Sequence, residues 1–496
     1  MTKYYLHVLL AVLLVFGLTA CSSSGESGGS GGGVSSVEIP DKAGMTVKGI
    51  VRDDQGAGIA GVVVSDGLKV TVTDADGVYY LPSDLKRRHF VFVSTPSGYE
   101  ISATQSCPRF YRRIDADQAV NRADFTLTRR EAPADRYSLI VMADIQLSTG
   151  NASETSYFNY VVPDVLKTVE ELPEEVYGIS LGDLVWNDMS LYPKYRQGLE
   201  TMGFTTFSLP GNHDHDPAQP TDSLALENYE RYFGPANYSV NIGKIHYVFL
   251  DNVLFDSHTS GKDSGYSRGL TDEICEWLEA DLSHVPEGST LVVSAHCPIL
   301  YLTRNTEAKN YRNYQRFFDA ISPYKVHAFG GHKHYHDTYR YDDGQKVMHC
   351  IARTPGDLYI NGDVNCDGTP RGYLVVDVDG EQLSWYYKSV GEPEEMQMRL
   401  YAPARTESDY VYANVWGYDT QWSDVEWIPD TDGQGVAMER VQHTDPYYEE
   451  VLAMGQRGAT PTNTWHMFRV RAEGERGGTV RVTDCFGRTW ESSVAW

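Results

Sequence analysis

At 496 residues the chain is too long for one typical core, so two to four domains are expected. With 41% hydrophobic and 12% aromatic residues it has ample apolar area to bury, which excludes a disordered protein. A formal net charge of −26 argues against nucleic-acid binding, which needs Lys and Arg to displace counterions; a polyanionic substrate would be repelled unless bound cations reversed the field locally.

The N-terminus reads first. Lys3 precedes an apolar run from Leu6 to Phe16 that is too short to span a bilayer as a helix. It ends in Leu18-Thr19-Ala20-Cys21, which resembles the lipobox of bacterial lipoprotein signals. That resemblance implies a signal peptide over residues 1–20, a lipidated Cys21 and a membrane anchor in the bacterial cell envelope. Residues 21–44 hold Cys21, then SSSGESGGSGGGVSS and a short continuation, a flexible Gly/Ser tether reaching roughly 20–25 Å. Six further cysteines (Cys107, Cys275, Cys297, Cys350, Cys366 and Cys485) are sparse and their pairing is not deducible. None has CxxC spacing, so a thiolate metal site is not expected.

Residues 45–130 carry short alternating runs broken by DDQG, SDG and DADG, the spacing of a small antiparallel β-sandwich. The segment resembles carboxypeptidase-regulatory or transthyretin-like domains and holds no cluster of ligand-type residues, so its expected role is spacing or packing. Residues 135–340 change character. Five apolar runs each end in a metal-ligand type of residue: YSLIVMADIQ, VYGISLGDLV, FTTFSLPGNHD, TLVVSAHCP and VHAFGGHKH. Helical patterns lie between them. The best runs from Thr271 to Leu282, with Ile274, Trp277, Leu278 and Leu282 on one face and Thr271 as N-cap. A hairpin is expected where Tyr238 to Ile242 and Ile245 to Leu250 flank Gly243-Lys244. Residues 341–496 turn β-rich and hold seven of the nine Trp, at or beyond Trp385. So dense an aromatic set suits either a sandwich core or a glycan surface, and core packing is the preferred reading.

Asp144, Gln146, Asp183, Asn212, His213, His296, His332 and His334 follow five strand-like runs, at equivalent places in each. Such a set of N and O donors suits phosphoester hydrolysis by two divalent ions about 3.5–4 Å apart, which acidify a water and clamp the phosphate. Carboxylates bridge metals, and the absence of Cys donors favours Mn²⁺, Zn²⁺ or Fe, with Mg²⁺ admissible.

The order D-x-[H/Q], GD, GNHD, H, GHxH resembles the calcineurin-like metallophosphoesterases. The flanking modules, with DPYYEEV, TWHMFRV and VRVTDCFGRTWES in the tail, resemble the N- and C-terminal domains of one bacterial branch. The resemblance implies a layered α/β core between two β-sandwich domains. It also implies roles: Asp144, Gln146 and His334 on the first metal, Asp183 bridging, and Asn212, His296 and His332 on the second. His213 would protonate the leaving group and Asp214 would orient it. Gln146 departs from the usual His; an amide oxygen there would loosen the first metal and shift preference toward Mn²⁺ or Mg²⁺.

Weaker features receive plainer readings. Asp363-Val-Asn365-Cys-Asp367-Gly368 begins like a calcium loop but lacks the terminal Glu, so a turn is expected. Asn187, Asp188 and His215 lie near the site, and Arg304, Lys309 and Arg312 form a basic stretch after His296. Two other functions fit the composition: a surface glycan- or partner-binding lipoprotein with a degenerate site, and a metal-dependent hydrolase of another ester or amide.

Overall fold

The run RYSLIVM has no polar break after its first residues, as a strand covered on both faces requires. In the computed structural model the strand Arg136–Met142 is buried along all but its first residue. Its side chains alternate between two layers. Leu139 and Val141 face a second sheet, whereas Ile140 and Met142 pack with Val162, Val165, Tyr195 and Leu199 of covering helices. Each fully buried aliphatic side chain contributes about 1.5–3 kcal/mol.

The structure describes residues 37–172, 175–255, 265–300, 311–341, 344–357, 363–405, 409–454 and 458–496. The expected signal peptide, Cys21, most of the tether, Arg304 and Lys309 lie outside them. Residues 39–496 form one compact unit.

Two sheets pack face to face between helices, which is the layered α/β core expected from the sequence. The first has the order Thr205–Ser208, Glu175–Ser180, Arg136–Met142, Gly372–Asp379, Gln382–Ser389; its first three strands are parallel. The second has the order Tyr238–Ile242, Ile245–Leu250, Thr290–Ala295, Lys325–Gly330, Lys346–Cys350, Asp337–Arg340, with its four central strands parallel. The hairpin closes at Gly243, whose φ of 56° is the left-handed region glycine favours. The helix Asp272–Leu282 begins at Thr271, whose side chain accepts from the Ile274 amide, and buries Trp277, Leu278 and Leu282.

Two expectations change. The core does not stop at residue 340, because Lys346–Cys350, Gly372–Asp379 and Gln382–Ser389 complete its two sheets. A strand such as YLVVDVDG reads alike in a core sheet and a sandwich, and only pairing separates the two. The N-terminal module is mixed rather than antiparallel, since Val47–Asp53 runs parallel to Phe125–Leu127. The six cysteines beyond Cys21 are free and unpaired.

In the C-terminal region two four-stranded sheets enclose Trp427 and Trp490, and Trp385 and Trp416 are buried too. Of the seven late Trp residues only Trp465 is exposed, at 42%, so this set is core. The calcium-like stretch closes as a turn: Val364 bridges Pro370, and Asp367 Oδ2 accepts from the His336 amide and the Thr369 hydroxyl.

Candidate metal centre

Five parallel strands, three in one sheet and two in the other, end on the same side of the core, and their following loops carry every ligand-type residue singled out above. Loops at the carboxyl ends of parallel strands are where open α/β sheets gather ligands. These loops are tightly wound. Asp144 (φ 53°), Gln146 (48°), Asp183 (52°), Asn187 (55°), His332 (68°) and His334 (56°) all hold left-handed backbone without being glycine. Glycine lets neighbours close in: a Cβ on Gly211 would lie 2.2 Å from Asp183 Oδ1.

One group of donors converges on His296. Its Nδ1 donates to the Leu181 carbonyl at 2.8 Å, which leaves the Nε2 lone pair facing inward. Around Nε2 stand Asn212 Oδ1 at 3.1 Å, His332 Nδ1 at 3.2 Å and Asp183 Oδ1 at 3.4 Å. Lone pairs crowded this closely need a proton or a cation among them. Without a metal the proton answers: burial alone would lower His296, but Asp183 and Asp144 carry it up to about 9. Burial would likewise raise Asp183, yet the imidazoles of His296 and His213 hold it well below the usual carboxylate range. Burial, with His296 beside it, keeps the His332 ring well below the ordinary histidine value.

A second group forms around Asp144. Its Oδ2 accepts from the His332 amide at 2.8 Å; its Oδ1 is buried with no hydrogen-bond partner and lies 3.4 Å from His334 Nε2. Ligand atoms of Asp144, Asp183 and His334 lie within 4.8 Å of one another. A buried, orphaned carboxylate oxygen facing an imidazole fits a bound cation. Cys297 also falls within 4.8 Å of His296 and His332, but burial pushes its thiol up to about 12, so it stays protonated.

Two expected side chains have other partners in this structure. The Gln146 oxygen, expected on the first metal, is engaged elsewhere. Oε1 accepts from Arg353 Nε at 2.8 Å, and Nε2 donates to Asp183 Oδ2 at 2.9 Å. Asp214 does not orient His213. It accepts from the backbone amides of Leu184 (3.0 Å) and Gly211 (2.9 Å) and from the Tyr192 hydroxyl, stapling two ligand loops together. Burial, with Asp183 nearby, pushes its carboxyl up to about 7.

His213 is held by other means. Its Nδ1 donates to Asn187 Oδ1 at 2.9 Å, and its ring stacks on Trp186 with centroids 3.8 Å apart. Its amide donates to Asp183 Oδ1 at 2.8 Å. Burial lowers its pKa, although Asp183 pulls the other way. Asn187 therefore takes the part expected of Asp214. Trp186, Tyr266 and Arg353 carry no sequence signal of their own. Tyr266 places its hydroxyl 3.5 Å from His332 Nε2.

Residues 137–336 match the family described as calcineurin-like phosphoesterase. Residues 45–130 match the N terminal, and 349–490 the C terminal, of calcineurin-like phosphoesterase. Among curated proteins none matches the chain. Solved structures give looser likenesses. A purple acid phosphatase from yellow lupin (Lupinus luteus) seeds is 13% identical, covers 66% of this chain and 67% of its own, and has a TM-score of 0.36. A putative 5′-nucleotidase from Staphylococcus aureus is 14% identical over 51% of this chain and 53% of its own, with a TM-score of 0.31. The 5′-nucleotidase of Candida albicans is 12% identical over 52% of each chain, also with a TM-score of 0.31. The chain thus spans about half the length of each nucleotidase.

Proposed function

Since the chain belongs to the calcineurin-like phosphoesterases, whose members are hydrolases that use divalent metals, we propose that it cleaves phosphate esters at a centre for two such ions. The observation that carries the reading is the inward crowding of His296 Nε2, His332 Nδ1, Asn212 Oδ1 and Asp183 Oδ1, beside an orphaned Asp144 Oδ1.

Asp183, Asn212, His296 and His332 would hold one ion; Asp144, Asp183 and His334 would hold the other. Bound there, divalent ions supply Lewis acidity, acidifying a water and neutralising charge on the phosphoryl oxygens. The chain's residues do the rest. Asp183 meets His296 and the His213 amide through Oδ1 and the Gln146 amide through Oδ2. The Leu181 carbonyl fixes the His296 tautomer, so that Nε2 faces the ligand. Asn187 and Trp186 fix the His213 ring, whose Nε2 can deliver a proton to a departing alkoxide. Purified residues 39–496 should hydrolyse monoesters or diesters only when metal is present. A metal-resolved panel of both substrate classes that yields no turnover under any condition would remove the reading.

We also propose, from Leu18-Thr19-Ala20-Cys21 alone, that the chain is anchored by lipid in a bacterial cell envelope. Replacing Cys21 by Ser should move it from the membrane to the soluble fraction. A wild-type chain that takes up no labelled lipid would contradict the anchor.

A further inference from the structure

Beside the candidate metal site the buried side-chain amide of Gln146 has a fixed direction. Turning Gln146 over would set two donors together at Arg353 and leave the amide oxygen against the Asp183 carboxylate, so both neighbours fix the same orientation. Arg353 is only 1% exposed and closely tied. Its Nη2 donates to the Ile145 carbonyl (3.0 Å) and the Ser153 hydroxyl (2.8 Å), and its Nη1 to the Gly356 carbonyl. A guanidinium this deep persists because its N–H groups are bonded and carboxylates face it, here Asp144, Asp183 and Asp357. It keeps its proton, as a guanidinium does even when buried.

The order of contacts is therefore Arg353 to Gln146 to Asp183. We propose that Arg353 and Gln146 stand in place of one metal ligand and make the two positions unequal. One ion is held firmly by Asp183, Asn212, His296 and His332, and the other is exchangeable, held by Asp144, Asp183 and His334. The proposal rests on the metal reading above and deepens it. Arg353 is a positioning residue that acts on Asp183 through Gln146. Its fixed positive charge, near the same carboxylates, competes with a cation at the exchangeable position. Gln146 supplies that position with N–H rather than a lone pair.

The test is metal retained per chain after loading with Mn²⁺ and gel filtration, measured by elemental analysis beside a direct Mn²⁺ titration. Wild type should retain about one ion and take up the second only reversibly. A ligating imidazole must place its second N–H on an acceptor, and Arg353 offers only donors. Gln146→His alone should therefore leave retention unchanged. Pairing it with Arg353→Gln provides the acceptor, and that double variant should retain about two ions, a strongly non-additive gain. Thermal melts of each variant report folding. If the double variant does not fold, the Gln146→His variant decides alone, because a rise to about two ions there would overturn the role of Arg353. Wild type retaining about two ions would overturn the inequality and leave the hydrolase reading intact. Wild type that neither retains nor titrates Mn²⁺ would remove the metal reading itself.

Discussion

Asp183 is where the contacts of the site meet: Oδ1 accepts from the His213 amide and lies near His296, while Oδ2 accepts from Gln146. Asp183→Asn keeps the shape and removes the charge that both ions would share. It should lower occupancy at both positions, whereas His296→Ala should empty mainly one; metal content per chain distinguishes them, and equal profiles would refute the bridging role. His213 allows a separate test of proton delivery. An alkoxide leaving group needs a proton, and p-nitrophenolate scarcely does. His213→Asn should thus lose about 10²–10⁴-fold on alkyl phosphates, with a much smaller loss on p-nitrophenyl phosphate and metal content unchanged. Equal losses on both would make His213 a clamp on the phosphoryl group instead. The ligand types were legible in the sequence because each follows a strand-like run, and strand ends place them without further information. The roles of Gln146 and Asp214 were not. The Gln146 amide is aimed by an arginine 207 residues away, and Asp214 is claimed by backbone amides that no side-chain pattern reveals.

At the scale of elements, the two sheets are tied near the site by a buried ion pair. His215 follows the strand Thr205–Ser208 of the first sheet, and its Nε2 lies 3.4 Å from Asp251 Oδ2, just after Ile245–Leu250 of the second. Burial would lower the imidazole, but Asp251 carries it up to about 9. A folded pKa above the unfolded value of about 6.5 means the contribution is complete below pH 6.5 and fades as pH rises toward 9. Across that window wild type should lose stability, by up to about 3 kcal/mol. Asp251→Asn should flatten the profile in denaturant melts at several pH values; an unchanged slope would show that the pair carries none of it. The helix Asp272–Leu282 and the hairpin at Gly243 were readable from capping and turn chemistry, which are local. Which strands shared a sheet was not readable, since pairing between Arg136–Met142 and Gly372–Asp379 is set by burial across more than two hundred residues.

At the scale of the molecule, the N-terminal module is part of the core. Phe92 packs edge-on against Trp277, ring centroids 6.3 Å apart, and the Trp277 indole donates to the Ser65 hydroxyl at 3.0 Å. The Asn241 amide donates to the Thr95 carbonyl, and Arg88 pairs with Glu273. Of the two roles the sequence allowed this module, spacing or packing, these contacts favour packing. Phe92→Ala should cost about 3–5 kcal/mol and change Trp277 fluorescence, while calorimetry keeps a single transition. Two resolved transitions would show that the module melts on its own. The left-handed residues ringing the metal loops give the molecule a further property. Each holds backbone that glycine would adopt more cheaply, by roughly 1 kcal/mol, so the scaffold spends folding energy to aim its donors. A screen for heat resistance that ignores turnover would select glycine at His334, yielding hardier chains with slack chemistry. Durability and catalysis are in tension at the same few positions.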